Sequence, residues 1–181
     1  MIRQVWSLAL FAAVVPGLSM AVEPLPRPGW YVGTGLGMVA PEGGREGYTR
    51  SLQLGYRSGY QSPSTPRSYV SLEFSLADSI RQVRPDHRRS TTADVLLVGA
   101  HLAGNSHLSE RMFLRSRLGM IYRQVDRGGG DRDRQGRLSF GLGAGVRLGE
   151  RTEAVLDGGV QYLGVSARLY YTATTSLRFH F

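Results

Sequence analysis

The terminal segment 169–181, LYYTATTSLRFHF, alternates with a period of two. Leu169, Tyr171, Ala173, Thr175, Leu177, Phe179 and Phe181 fall on one side, and Tyr170, Thr172, Thr174, Ser176, Arg178 and His180 on the other. One face is apolar with aromatic residues at both ends; the other is polar throughout. Successive side chains of a strand point to opposite faces, so the segment is a β-strand with one apolar face. It is also long enough to cross a bilayer at a tilt, which takes roughly 9–11 residues. A strand of that kind needs both edges paired, because hydrocarbon offers its backbone no other hydrogen-bond partner.

The same pattern recurs along the chain. Segment 30–39 sets Trp30, Val32, Thr34, Leu36 and Met38 against Tyr31, Gly33, Gly35, Gly37 and Val39, and its G-x-G-x-G spacing stays two-residue with no helix-forming run after it, unlike a phosphate-binding loop. Further strands are predicted over 48–59, 68–76, 91–102, 111–125, 137–148 and 153–163. The fourth, 91–102, is the least regular, because Val95 and Leu97 fall on its polar side. Between them lie Pro/Gly/Ser-rich or charged stretches, 40–47, 60–66, 77–90, 103–110, 126–136 and 149–152, read as turns and loops. Eight strands in this length predict an all-β fold, an eight-stranded antiparallel up-and-down barrel closed by pairing 169–181 with 30–39.

The N-terminus supplies the compartment. Arg3, an apolar run over 5–15 and the small-x-small ending Ser19-Met20-Ala21 read as a secretory signal peptide over 1–21, and this run is shorter than a helical membrane span. Residues 22–29, with three prolines, form an extended lead-in, and 30–181 the barrel domain. Cysteine is absent, which excludes disulfides and thiolate metal sites, and no cofactor is expected. All 22 basic residues are Arg, so every basic site can grip a phosphate bidentately.

Period two does not say which face is inside, since a secreted lipocalin-type barrel also has about eight alternating strands. Residue size decides it: a narrow interior suits Gly and Ser interleaved with a few long charged side chains. The aromatics agree. If the first strand starts in the periplasm, Trp30, Tyr56, Phe179 and Phe181 fall at one rim of the apolar face, and Tyr48, Tyr122, Phe140, Tyr162 and Tyr171 at the other. Two aromatic girdles around an aliphatic band belong to a barrel in a bilayer. On this pattern and the terminal SLRFHF, residues 30–181 resemble the small outer-membrane barrels of the OmpA-like and OmpX/Ail-like, porin-like type. The resemblance implies a cell outer-membrane protein of a Gram-negative envelope, with Phe179 and Phe181 as the signal read by the barrel-assembly machinery, periplasmic chaperones as transient partners, and a monomer in the membrane.

Two charged sets are the candidate sites. The inward face carries Arg57, Glu73, Asp94, Arg115, Arg117, Arg123, Arg147, Glu153, Asp157, Arg168, Arg178 and His180. Buried charges must be paired or wetted, which predicts a salt-bridge network plugging the lumen; a polar pathway for small solutes is the alternative. The second set is Arg81, Arg84, His87, Arg88 and Arg89 with Arg127, Arg132, Arg134 and Arg137, on loops expected to face outward, where lipopolysaccharide presents phosphates. Asp86, Asp126, Asp131 and Asp133 partly neutralise it, as in an ordinary solvated loop. The export signal and the lack of loop aromatics disfavour nucleic acid. The rival class is a lipid A-modifying deacylase or acyltransferase: His87 and Ser90 lie in the right region, but no compact His-x-Ser motif with a following acid is present. The expectation is therefore a non-enzymatic barrel in contact with outer-membrane lipid and lipopolysaccharide.

Overall fold

A computed structural model describes residues 28–62, 65–84, 92–128, 132–162 and 169–181. The expected signal peptide, most of the lead-in, and His87, Arg88, Arg89, Ser90 and Arg168 lie outside the described residues.

Eight strands follow one another as β1 (Gly29–Pro41), β2 (Gly47–Ser62), β3 (Thr65–Arg81), β4 (Asp94–His107), β5 (Met112–Asp126), β6 (Arg132–Arg147), β7 (Thr152–Tyr162) and β8 (Tyr170–His180). Each pairs antiparallel with its neighbour in sequence and β8 pairs with β1, giving the closed meander barrel that the alternation implies. Closure runs from Tyr31↔His180 to Pro41↔Tyr170, and the Phe181 N–H donates to the Trp30 carbonyl at 3.0 Å, so neither β1 nor β8 is left with a free edge.

Several boundaries differ from the sequence reading. The stretches 103–107, 77–81 and 132–136, expected in turns or loops, are ladder strand, and the β2–β3 hairpin continues to Ser62 and Thr65. Here the outward positions turn polar, as at Ser106, Asp78 and Arg134, because the strands run beyond the apolar band. Backbone pairing needs no apolar face, so the ladder outlasts the pattern. The connections at the end where β1 starts and β8 stops, here the terminus end, are short, 63–64, 108–111 and 148–151, whereas those at the opposite, loop end are 42–46, 82–93, 127–131 and 163–169. Gly43 and Gly128 sit at φ of 69° and 80° in two of the loop-end connections, a conformation that glycine adopts without strain.

Outside, Leu36, Leu52, Leu54, Leu72, Phe74, Leu76, Val98, Leu102, Leu118 and Leu142 stay exposed. On β3 the apolar run from Val70 to Leu76 is bounded by Ser68, whose hydroxyl meets that of Ser106 at 3.0 Å, and by Asp78, which pairs with Arg50 at 3.4 Å. The polar borders Ser68 and Asp78 are ten strand steps apart; at roughly 3.3 Å each and a tilt of about 40° they stand about 25 Å apart, the height of the apolar band of an outer-membrane barrel. Trp30 and Tyr56, with rings 5.2 Å apart, and Phe179 and Phe181 flank the band at the terminus end, and Tyr48, Tyr122, Phe140, Tyr162 and Tyr171 toward the loop end.

Candidate functional site

The lumen is filled in two layers. Toward the terminus end the inward positions are charged, and the narrow cylinder makes them meet across it. Arg115 on β5 lies at the centre. Its Nη1 donates to Glu73 Oε1 at 2.7 Å, its Nη2 donates to the other Glu73 oxygen, and its Nε donates to Asp157 Oδ1 at 3.0 Å. The Tyr31 hydroxyl also donates to Glu73. Arg178 on β8 lies 3.4 Å from Glu73 and 3.8 Å from Asp157, and its Nη2 donates to Gln53 Oε1 at 3.1 Å. Arg117 approaches Asp157 at 3.6 Å.

A second knot sits beside the first. Arg57 donates to Glu153 at 2.7 Å and to the Tyr69 hydroxyl at 3.2 Å, with its guanidinium 4.4 Å from the Tyr69 ring centroid. His180 Nε2 lies 3.1 Å from the remaining Glu153 oxygen. Glu73, Glu153 and Asp157 thus face Arg57, Arg115 and Arg178, all buried, with Arg117 half-buried at the edge, where unpaired charge would be costly. The contacts tie β1, β2, β3, β5, β7 and β8 across the lumen.

Two inward glycines make room for this layer. A Cβ on Gly55 would collide with the Tyr31 ring, and one on Gly145 with the Phe113 ring, so each aromatic lies flat over a neighbouring strand's backbone. The His101 imidazole likewise occupies the space left by Gly99 and Gly119.

Toward the loop end the filling is apolar. Val39, Val83, Ala93, Val95, Leu97, Ile121, Val125 and Tyr170 form one buried cluster, with Ala77 packed against it. Arg123 stacks over the Tyr170 ring at 3.8 Å and Arg137 at 5.4 Å, and both donate to Gln135 Oε1, at 3.2 and 2.6 Å. Sequence reasoning missed this layer. Its signal was present in Val95 and Leu97, which seemed to blur the fourth strand, and in Val39, Ile121 and Val125 on otherwise polar faces.

Two of the predicted placements change. Asp94 is not inward: it is even-numbered like Leu96, Val98 and Ala100, shares their outward face, and accepts from Gln82 at 3.2 Å. Arg137 is not a loop residue but a buried lumen residue, because β6 begins five residues earlier than the pattern indicated. Arg147 keeps the inward parity, opposite Glu153 in the β6–β7 ladder, is half-buried, and donates to the Glu110 carbonyl at 3.4 Å. Of the loop arginines, Arg81 lies over the Tyr48 ring at 5.9 Å, Arg84 is tied by its backbone to Arg45, Arg132 pairs with Asp126 at 2.8 Å, and Arg134 is exposed on the outward face.

No protein-family profile and no curated protein sequence matches the chain. Solved structures do. Ail, the attachment invasion locus protein of Yersinia pestis, aligns with a TM-score of 0.58 at 15% identity, over 87% of this chain and 100% of its own. Neisserial surface protein A aligns at 0.59 and 15%, over 84% and 97%, and the outer membrane protein OprG of Pseudomonas aeruginosa at 0.59 and 11%, over 87% and 97%. The chain therefore has the fold of the small eight-stranded outer-membrane β-barrels.

Proposed function

We propose that the protein is a non-enzymatic outer-membrane barrel with a structural and surface-interaction role, its lumen plugged and its basic loops in contact with lipopolysaccharide. The observation that carries this reading is the buried ionic network centred on Arg115, Glu73, Asp157 and Arg178, which occupies the cross-section where a solute would pass. The apolar layer above it adds a second barrier. The aromatic-flanked outward band supports placement in a membrane, and the leader-like residues 1–21 support export to the outer one. In this reading Phe179 and Phe181 form the assembly signal, read by the barrel-assembly machinery after chaperones deliver the chain, and the barrel is a monomer. At the loop end Arg81, Arg84, Arg88, Arg89, Arg132 and Arg134 meet the phosphates of the lipid leaflet.

Reconstitution with lipopolysaccharide tests the two halves together. Planar bilayers containing the folded protein should show no steady conductance, and the lipid A mass spectrum should be unchanged after incubation. Steady channels would replace the plug with a narrow pore, and loss of an acyl chain would identify an enzyme.

A further inference from the structure

The loop end of β3 carries an irregularity that the barrel itself does not need. Tyr48 pairs with Arg81 but Thr49 pairs with Ser79, so Ile80 is the extra residue of a β-bulge. A bulge re-aims the side chains around it. In place of strict alternation, Ile80, Arg81 and Gln82 are all exposed, and Val83 returns to the lumen cluster. Just beyond, the β1–β2 connection is locked to the β3–β4 connection by two backbone hydrogen bonds, Arg45 N–H to the Arg84 carbonyl at 2.8 Å and Arg84 N–H to the Arg45 carbonyl at 3.1 Å.

Bulge and bridge together flank an open cavity of about 410 Å³ lined by Arg45, Arg81 and Arg84, with Glu46, Ile80, Gln82 and Thr92. Among the described lining residues three arginines face one glutamate, a net charge of +2. Among the described residues none of these three guanidiniums is in an ion pair. Its depth follows from the strand below. Arg50 and Asp78, paired on the outward face, are polar groups that hydrocarbon does not tolerate, so the apolar band ends at their level. The cavity opens directly above that level, beside exposed Tyr48 and Ile80. Its wall is basic, with Ile80 as its apolar part and the exposed Tyr48 beside it.

The geometry points to a phosphomonoester site for a lipid headgroup: Arg45, Arg81 and Arg84 grip the phosphate while Ile80 and Tyr48 rest on the lipid. This rests on the reading that the loop end contacts lipopolysaccharide, and it adds Arg45 and a defined pocket to it. Free inorganic phosphate shares the chemistry, but it has no use for the apolar contacts of Ile80 and Tyr48.

The test uses the folded chain in phosphatidylcholine nanodiscs, titrated with bisphosphorylated lipid A and with the same lipid A after removal of its phosphates, bound lipid being counted by native mass spectrometry. Arg45→Gln/Arg84→Gln should weaken binding of the bisphosphorylated lipid by about tenfold or more. It should leave the dephosphorylated lipid unaffected, and inorganic phosphate at equal concentration should not displace lipid A from the unaltered protein. Both side chains are at the surface, so the heat-dependent gel shift of the folded barrel should persist in the variant. Arg132→Gln/Arg134→Gln is the comparison. If that variant loses lipid A while Arg45→Gln/Arg84→Gln binds normally, this pocket is overturned and the broader reading stands. If the unaltered protein does not bind lipid A, both fall. Full displacement by inorganic phosphate would overturn the lipid assignment in favour of a free-oxyanion site.

Discussion

Glu73 accepts from Arg115 twice and from Tyr31, and sits 3.4 Å from Arg178. Glu73→Gln keeps its shape but removes its charge, leaving two buried guanidiniums short of a counter-ion. Breaking a buried pair from one side costs roughly 3–5 kcal/mol, so the urea midpoint of the folded barrel in detergent should fall sharply; an unchanged midpoint would mean that water reaches the knot and replaces the carboxylate. Glycine is tested by contrast. Gly55→Ala pushes into the Tyr31 ring and should destabilise by about 1–3 kcal/mol, whereas Gly136→Ala, with open space around it, should be neutral within about 0.5 kcal/mol. Equal effects at the two positions would show that the Tyr31 packing carries no weight.

At the scale of the strand, the terminal segment is both the closing edge and the source of Arg178 and His180. Deleting Phe181 removes an exposed aromatic and its hydrogen bond to Trp30, and should lower the yield of membrane-inserted barrel; an unaltered yield would reduce the residue to part of the girdle. Strands were legible wherever lipid-facing and lumen-facing residues differ in polarity, as along Leu138 to Leu148. They were illegible at their ends, because a ladder such as Gln124↔Arg134 is held by backbone bonds that leave no mark on residue type. The Ile80 bulge was hidden for a related reason: whether one residue is skipped depends on the partner strand, not on the segment itself. Parity placed Glu73, Arg115, Glu153, Asp157 and Arg178 inward, would have placed Asp94 outward had it been applied there, and missed Arg137 where the strand end was misjudged; which acid meets which arginine required the curvature of the closed sheet.

Among the described residues the barrel interior holds two layers, an ionic one near the terminus end and an aliphatic one near the loop end. The two layers rest on different physics, so on the plugged reading proposed above they should fail independently. Val95→Ser/Val125→Ser thins the apolar layer and leaves the ionic one intact; this variant should remain non-conducting in planar bilayers, and steady current from it alone would show that the apolar layer is the real barrier. The ionic layer has one more consequence, for the order of events during assembly. Its partners are 42 residues apart for Arg115 and Glu73, 96 for Arg57 and Glu153, and 125 for Arg178 and Gln53. Glu73 and Glu153 can meet Arg115 and Arg57 without β8, but Arg178 and His180 reach them only when β8 docks against β1. The charge balance of the interior is thus completed by the final strand pairing: in an unclosed sheet these acids and arginines still call on water for part of their solvation, and closure replaces that water with protein partners.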